Sequence, residues 1–298
     1  MCRPASTRAL LSMTGLGGLA LGAVAATIAV VALAAFGALR WARSLRMLAS
    51  GLEAGRMPSS AARYDAAEIK DLPAPVQRYF RAVLEDGQPI VTAASIRMRG
   101  TFNLSAAGEQ WRRFASCERV TTRRPGFLWD ARIAMLPGLT VRVVDSYIAG
   151  QGLLRASVQG LFALADIHGS GEIARGEFMR YLAEAPWYPT ALLPSQGVRW
   201  DAVDDRSANA TLTDGPIAST LIFRFDDAGL IESFRAEARG AMVGDTLVQL
   251  PWEGRFWNYR TRDGMLVPFD GEVAWMRPEG RKPYFRGAVA RLDYEFAS

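Results

Sequence analysis

The segment Ser95-Ile96-Arg97-Met98-Arg99-Gly100-Thr101-Phe102-Asn103-Leu104 decides the fold class. Ile96, Met98, Gly100, Phe102 and Leu104 alternate with Ser95, Arg97, Arg99, Thr101 and Asn103. Successive side chains of a strand point to opposite faces, so a period of two marks a strand with one buried and one wet face. The pattern recurs downstream. Phe127, Trp129, Ala131, Ile133 and Met135 alternate with residues such as Asp130 and Arg132, and Leu154, Ala156, Val158, Gly160, Phe162 and Leu164 form a third run. Turn signals separate the runs at Ala106-Ala107-Gly108, Arg124-Pro125-Gly126, Pro137-Gly138 and Gly150-Gln151-Gly152.

The C-terminal part continues in the same way. Strands are expected over 198–203, 208–213, 220–225, 230–239, 247–262, 265–275 and 287–296, with turns at Asp226-Asp227-Ala228-Gly229 and Asp263-Gly264. About ten strands joined by short turns pair as antiparallel neighbours. No strand–helix–strand alternation of the doubly wound kind is present. A sheet of that width twists and curls. The expected fold is therefore α+β: a large curled antiparallel sheet, a half-barrel, carrying one or two packed helices.

The first of these helices is expected near 75–86. Val76, Tyr79, Phe80, Val83 and Leu84 recur on a 3.6-residue period, Pro73 and Pro75 open the segment and Gly87 closes it. The second is expected near 171–185, where Ala174, Phe178, Tyr181, Leu182 and Ala185 form an apolar side. Glu177, Arg180 and Glu184 share another side, and Pro186 and Pro189 end the helix. Ser170 is its expected cap.

Upstream, no charged residue stands between Arg8 and Arg40. A bilayer core is crossed by about 20 apolar helical residues, so a transmembrane helix is expected over about 10–41. The competing reading, a cleaved signal peptide, has an apolar region of about 7–15 residues, much shorter than this one. The domain plan is an N-terminal segment 1–46, a tether 47–71 and a β domain 72–298. Arg3 and Arg8 on one side of the span nearly balance Arg40, Arg43 and Arg46 on the other, which leaves orientation open under the positive-inside rule. A single-pass protein of the inner (cytoplasmic) membrane with an extracytoplasmic β domain is the expectation.

Composition narrows the chemistry. The chain has 298 residues, 50% hydrophobic and 22% charged, with a formal charge of +5. All but two of its 35 basic residues are arginine, the exceptions being Lys70 and Lys282. With one histidine, His168, and two cysteines, Cys2 and Cys117, neither a Cys/His zinc site nor a disulfide framework can be built, and a Ser-His-Asp triad would have to use His168. No phosphate-binding glycine loop or nucleophile elbow occurs, so no cofactor is expected. The modest charge and the missing reader motifs argue against a nucleic-acid partner. Oligomeric state is not readable.

Three constellations bear on a site. Asp166, His168, Ser170, Gly171, Ile173 and Glu177 match part of a calcium loop. However, His168 replaces a hard oxygen ligand and the flanking segment alternates as a strand, so a strand-to-helix turn with no metal is the preferred reading. Glu177 and Glu184, with Arg180 between them, suit acid–base chemistry, salt-bridge pairing along an exposed helix or, placed under a curved sheet, a polar patch inside a cavity. Aromatics crowd the C-terminal half, where Trp252 and Phe256 are expected on one face of their strand and Trp257 and Tyr259 on the other. Trp and Tyr line apolar cavities while keeping a polar handle. The candidate ligand-binding residues are Glu177, Arg180, Tyr181, Glu184, Trp187, Trp200, Trp252, Tyr259 and Trp275; no catalytic residue is assigned.

The run from Arg175 through Trp187-Tyr188-Pro189 to Leu193, with the later Pro251-Trp252-Glu253-Gly254, Tyr259-Arg260, Asp263-Gly264 and Val267-Pro268, resembles an uncharacterised bacterial family of unknown function over about Leu72 to Phe296. That resemblance carries no catalytic residues with it. The layout of a long curled sheet with helices on its concave side resembles the LolA/LolB lipoprotein-carrier fold, which implies a hydrophobic cavity and an envelope location. Those carriers are soluble or lipidated, whereas this chain has a membrane span. Binding of membrane lipid or another hydrophobic small molecule is the expected function. A hydrolase using Glu177 or Glu184 is the first alternative, and an envelope structural or assembly protein the second.

Overall fold

The computed structural model describes residues 7–105, 108–243 and 246–298. Cys2, Arg3, Ala106 and Ala107, invoked above, lie outside them. Among the described residues three α-helices, α1 (Thr7–Ala54), α2 (Ala74–Val83) and α3 (Glu172–Glu184), accompany thirteen strands. The strands are β1 (Val91–Asn103), β2 (Trp111–Thr121), β3 (Gly126–Leu136), β4 (Leu139–Ile148), β5 (Gln151–Val158), β6 (Phe162–Gly169), β7 (Arg199–Asp204), β8 (Ser207–Asp214), β9 (Ile217–Phe225), β10 (Ile231–Val243), β11 (Thr246–Arg262), β12 (Met265–Arg277) and β13 (Gly280–Phe296). They form one antiparallel sheet in the order β6-β5-β4-β3-β2-β1-β13-β12-β11-β10-β9-β8-β7. All neighbours are consecutive hairpins except β1 and β13, which join the two halves along a register from Val91 opposite Phe296 to Phe102 opposite Phe285.

The sheet is not closed, since β6 and β7 remain as edges. It is nevertheless strongly curled. α3 touches β3, β4, β5 and β6 of one half and also β9 and β10 of the other. A single helix reaches both halves only if the sheet bends around it.

Three strands exceed the sequence expectation. β2 and β4 do not show a clean period of two, because each carries polar residues in its apolar phase: Ser116 and Glu118 stand between Phe114 and Val120, and Asp145 between Val141 and Tyr147. The run Leu154–Leu164, read as one strand, is a hairpin. Gln159 and Gly160 adopt positive φ and Leu161 N–H donates to Val158 O, turning the chain between β5 and β6. The alternation passes through that turn without changing parity, so the sequence reads as continuous.

The N-terminal helix differs from its expected extent. Residues 47–54, composed like a tether, continue α1. The reason is packing: Trp41 and Leu52 of α1 bury against Leu128, Val144 and Leu153 on the convex face of the sheet. Residues 21–36 of the same helix are exposed without a break. α1 is long and apolar enough to cross a membrane. Farther along, Asp65 caps a single helical turn at 66–69 by accepting from Ala67 N–H at 2.8 Å. α2 lays Val76, Tyr79, Phe80 and Val83 on the core, where the Tyr79 ring meets Phe225.

Candidate functional site

α3 runs along the hollow of the sheet, so both of its sides are enclosed. Phe178, Tyr181 and Leu182 face the core, as their spacing predicts. The polar side is enclosed too: Arg180 and Glu184 do pair, but beneath the curved sheet rather than along an exposed face. Glu177 is 4% exposed, and Arg180 lies under a lid of aromatic rings, its guanidinium 4.9 Å from the centre of Phe127 and 4.8 Å from that of Trp129.

Arg180 organises a buried carboxylate cluster. Its Nη1 donates to Asp145 Oδ2 and its Nε to Glu184 Oε1, both at 2.8 Å, while Glu118 Oε1 lies 3.7 Å from Nη2. Buried ions are retained only where such pairing offsets desolvation. Burial depresses the guanidinium's proton affinity, but Glu184, Glu118, Asp145 and Glu177 together more than reverse this and hold it firmly charged. The carboxyls respond in the opposite sense. Burial, reinforced by Glu184, pushes Glu118 well above the usual carboxylate range. Burial also raises Asp145 against the pull of Arg180. Burial and the nearby Asp145 push Glu177 up to about 8. Around neutral pH Glu177 therefore holds its proton.

Above the cluster is a cavity of about 780 Å³, within the range typical of small-molecule sites. Asp145, Glu177, Arg180 and Glu184 line its floor. Its walls come from both halves of the sheet: Trp129 and Leu154 on one side, Phe234, Trp252, Phe256, Trp275 and Phe285 on the other, with Trp187 following α3. Arg239 covers the wall with its guanidinium 4.1 Å over the Trp252 ring and 5.8 Å from that of Trp275. Several polar atoms at this site lack a protein partner, among them Glu177 Oε2, Glu184 Oε2, Asp145 Oδ1 and Trp187 Nε1. Such atoms can satisfy themselves on a guest that brings its own polar end.

Six of the nine predicted residues meet at this cavity: Glu177, Arg180, Glu184, Trp187, Trp252 and Trp275. The other three belong to the core. The Tyr181 carbonyl accepts from Tyr188 Oη, Trp200 Nε1 donates to Leu192 O, and Tyr259 Oη donates to Ile231 O. Tyr259 was assigned to the face opposite Trp252, but it joins the core side. The chain kinks just before it at Asn258, φ 59°, where Asn258 and Phe269 both drop out of the β11–β12 pairing without shifting its register, and Tyr259 then packs against the core. Glu118, Asp145 and Arg239 were missed. The signal for the first two was a lone carboxylate in the apolar phase of a strand.

The partial calcium loop does not assemble. Asp166 of β6 pairs with Arg155 of β5, whereas Glu177 faces the cavity, and no group that could hold a metal occurs among the described residues. Ser170 does not cap α3; Gly171 holds that position without a side-chain bond.

The family of unknown function DUF6920 matches residues 70–294, and the chain belongs to it. No curated protein matches the chain. Solved structures similar to it include a domain assigned to outer membrane lipoprotein sorting from Vibrio parahaemolyticus, 11% identical, covering 68% of this chain and 85% of that one at a TM-score of 0.39. A LolA superfamily protein from Nitrosomonas europaea is 10% identical over 74% of this chain and 92% of its own, at 0.32. A β-barrel-like protein of the DUF1849 domain from Brucella abortus is 12% identical over 72% and 99%, at 0.20.

Proposed function

We propose that this DUF6920 protein binds a lipid or other apolar ligand in the hollow of its sheet, held at a membrane by α1. The observation that carries the reading is the 780 Å³ cavity with tryptophan and phenylalanine walls and a polar floor. Burying apolar surface supplies about 25 cal/mol per Å², and a chain-like ligand matches walls of this composition. The floor then selects for a ligand with one polar end, because Glu177 Oε2 and Trp187 Nε1 are buried without partners. Under this reading α1 is a single-pass anchor of the cytoplasmic membrane and the sheet domain is extracytoplasmic, which protease access in sealed spheroplasts tests.

The binding test uses full-length protein purified in detergent. Lipid extraction and mass spectrometry are expected to return a co-purifying amphiphile. N-phenyl-1-naphthylamine should brighten on adding the protein, and Val273→Trp, which fills the cavity from β12, should abolish that gain at unchanged circular dichroism. Protein that is repeatedly empty, with no probe binding in either form, would overturn the reading.

One observation favours a second reading, an acid–base enzyme. Glu177 faces the cavity while protonated near neutrality, which is the state a general acid requires. Turnover of a panel of ester substrates that Glu177→Gln abolishes without loss of probe binding would establish it; turnover indifferent to that change would exclude it.

A further inference from the structure

The turn between β5 and β6 leans on α1 at Gly37. A side chain there would meet Gln159 O at 2.5 Å and Leu161 Cγ at 2.8 Å. Gly37 stands at the end of the uncharged run, three residues before Arg40. The turn is therefore level with the point where the apolar helix gives way to charge. On one side of this level Phe36 is 59% exposed. Beside it, on the sheet domain, three more large apolar side chains stand open: Phe162 at 69% and Leu164 at 60% on β6, and Leu136 at 66% on the β3–β4 hairpin. Gln159 Nε2 donates to Gly138 O at 2.6 Å and ties the two hairpin tips together.

Single exposed apolar residues on a soluble surface are ordinary. These are grouped at two tied tips and are continuous with α1, which is long and apolar enough to cross a bilayer. Such continuity marks a contact surface. Its occupant is the surface of the membrane that takes α1. Arg40 and Arg43 follow within two turns and are exposed, at the height where arginines reach lipid head groups while their stems stay in apolar surroundings.

The cavity reaches the same end of the sheet. Asn103 pairs with Trp111 and Leu136 with Leu139, so the β1–β2 and β3–β4 turns lie at one end. Arg277 opposite Gly280 puts the β12–β13 turn at that end as well, since Phe285 stands opposite Phe102. Phe102, Leu104 and Lys282, from these tips, line the cavity.

We propose that the hairpin tips bearing Leu136, Phe162 and Leu164 rest in the bilayer interface, so that the cavity opens onto the lipid surface and takes its ligand from there. The proposal rests on reading α1 as a membrane anchor and, for the ligand's route, on the lipid-binding function above.

The test uses the full chain with Cys2 and Cys117 replaced by serine, reconstituted in vesicles of phosphatidylcholine and phosphatidylglycerol. A nitroxide is attached at Leu136→Cys, Phe162→Cys or Leu164→Cys, all open positions that tolerate a label. Collision with oxygen is compared with collision with a water-soluble nickel chelate. Val30→Cys in the exposed part of α1 and Val203→Cys on β7 serve as references. Expected is a several-fold higher oxygen-to-nickel ratio at 136, 162 and 164 than at 203. A lipid-like reading at 30 with water-like readings at all three tips overturns this inference and leaves the anchor standing. A water-like reading at 30 overturns the anchor and the inference together.

Discussion

Trp41 Nε1 donates a hydrogen bond to Asp130 Oδ1 at 2.9 Å, joining the helix that precedes the sheet to the convex face of β3. The same indole is buried with Leu52, Leu128, Val144 and Leu153. The contact converts a composition expected of a loose tether into a rigid strut. Trp41→Ala should cost about 3 kcal/mol at this contact. Each 1.4 kcal/mol is tenfold in an equilibrium, so amide exchange over 41–54 should quicken roughly 100-fold while the strands keep their protection. Hydrogen exchange with mass spectrometry reads this directly; unchanged exchange in the helix would show that the strut does not depend on Trp41.

Removing Arg180 strands the carboxylates it serves. Arg180→Ala leaves Asp145, Glu184 and Glu118 buried without their cation. The expected loss is about 3–5 kcal/mol, or a fall of roughly 10 °C in melting temperature for a domain of this size. Arg180→Met combined with Asp145→Asn, Glu184→Gln and Glu118→Gln removes the cation together with the three carboxyls it serves, and should recover most of the loss. Thermal melts of the two variants in nanodiscs separate the cases, since additive losses would mean that the groups do not act as a unit.

The parts of this protein that were legible in sequence are those where one physical demand acts alone. β1 has a wet face and a core face, so Ile96, Met98 and Arg97 report it plainly. The apolar run ending at Leu39 and the stripe of α2 are equally direct. Legibility failed where demands overlapped. Val144 on β4 faces outward yet is buried, because α1 covers it, and Asp145 faces inward yet bears a carboxyl, because Arg180 awaits it. The two together erase the alternation. Glu177 and Glu184 drew attention by their spacing, but spacing could not say that their helix lies inside the sheet. That depends on curvature, a property of all thirteen strands at once.

Gly152 is where α3 and β5 approach most closely. A Cβ at this position would lie 2.6 Å from Ala174 N and 2.6 Å from Ile173 C. These are backbone atoms, which cannot swing aside as a flexible side chain does. Gly152→Ala must push the first turn of α3 off the strand, at a cost of about 1–3 kcal/mol for overpacking. The expected readouts are a lower melting temperature and weaker binding of N-phenyl-1-naphthylamine, because the same turn carries Ile173 and Gly176 to the cavity lining. A variant as stable as the parent, with unchanged probe affinity, would mean that the helix is not seated this tightly.

The protonation of Glu177 gives stability a definite slope with pH. Its carboxyl sits among Asp145 from β4, Arg239 from β10 and Arg180 and Glu184 from its own helix. Burial and Asp145 raise it to about 8 against an ordinary value of 4.5. Between those values the folded protein keeps a proton that the unfolded chain has released. Stability therefore falls as pH rises across this window. The contribution is complete below about 4.5 and gone above about 8. Glu118, also raised by burial, acts in the same direction. Urea unfolding followed across this range should show midpoints that decline with pH. Glu177→Gln carries no titrating proton and should flatten the decline, and adding Glu118→Gln should flatten it further. Parallel curves for the parent and Glu177→Gln would show that Glu177 is ionised in the folded protein, and that the floor of the cavity bears one more negative charge than its burial implies.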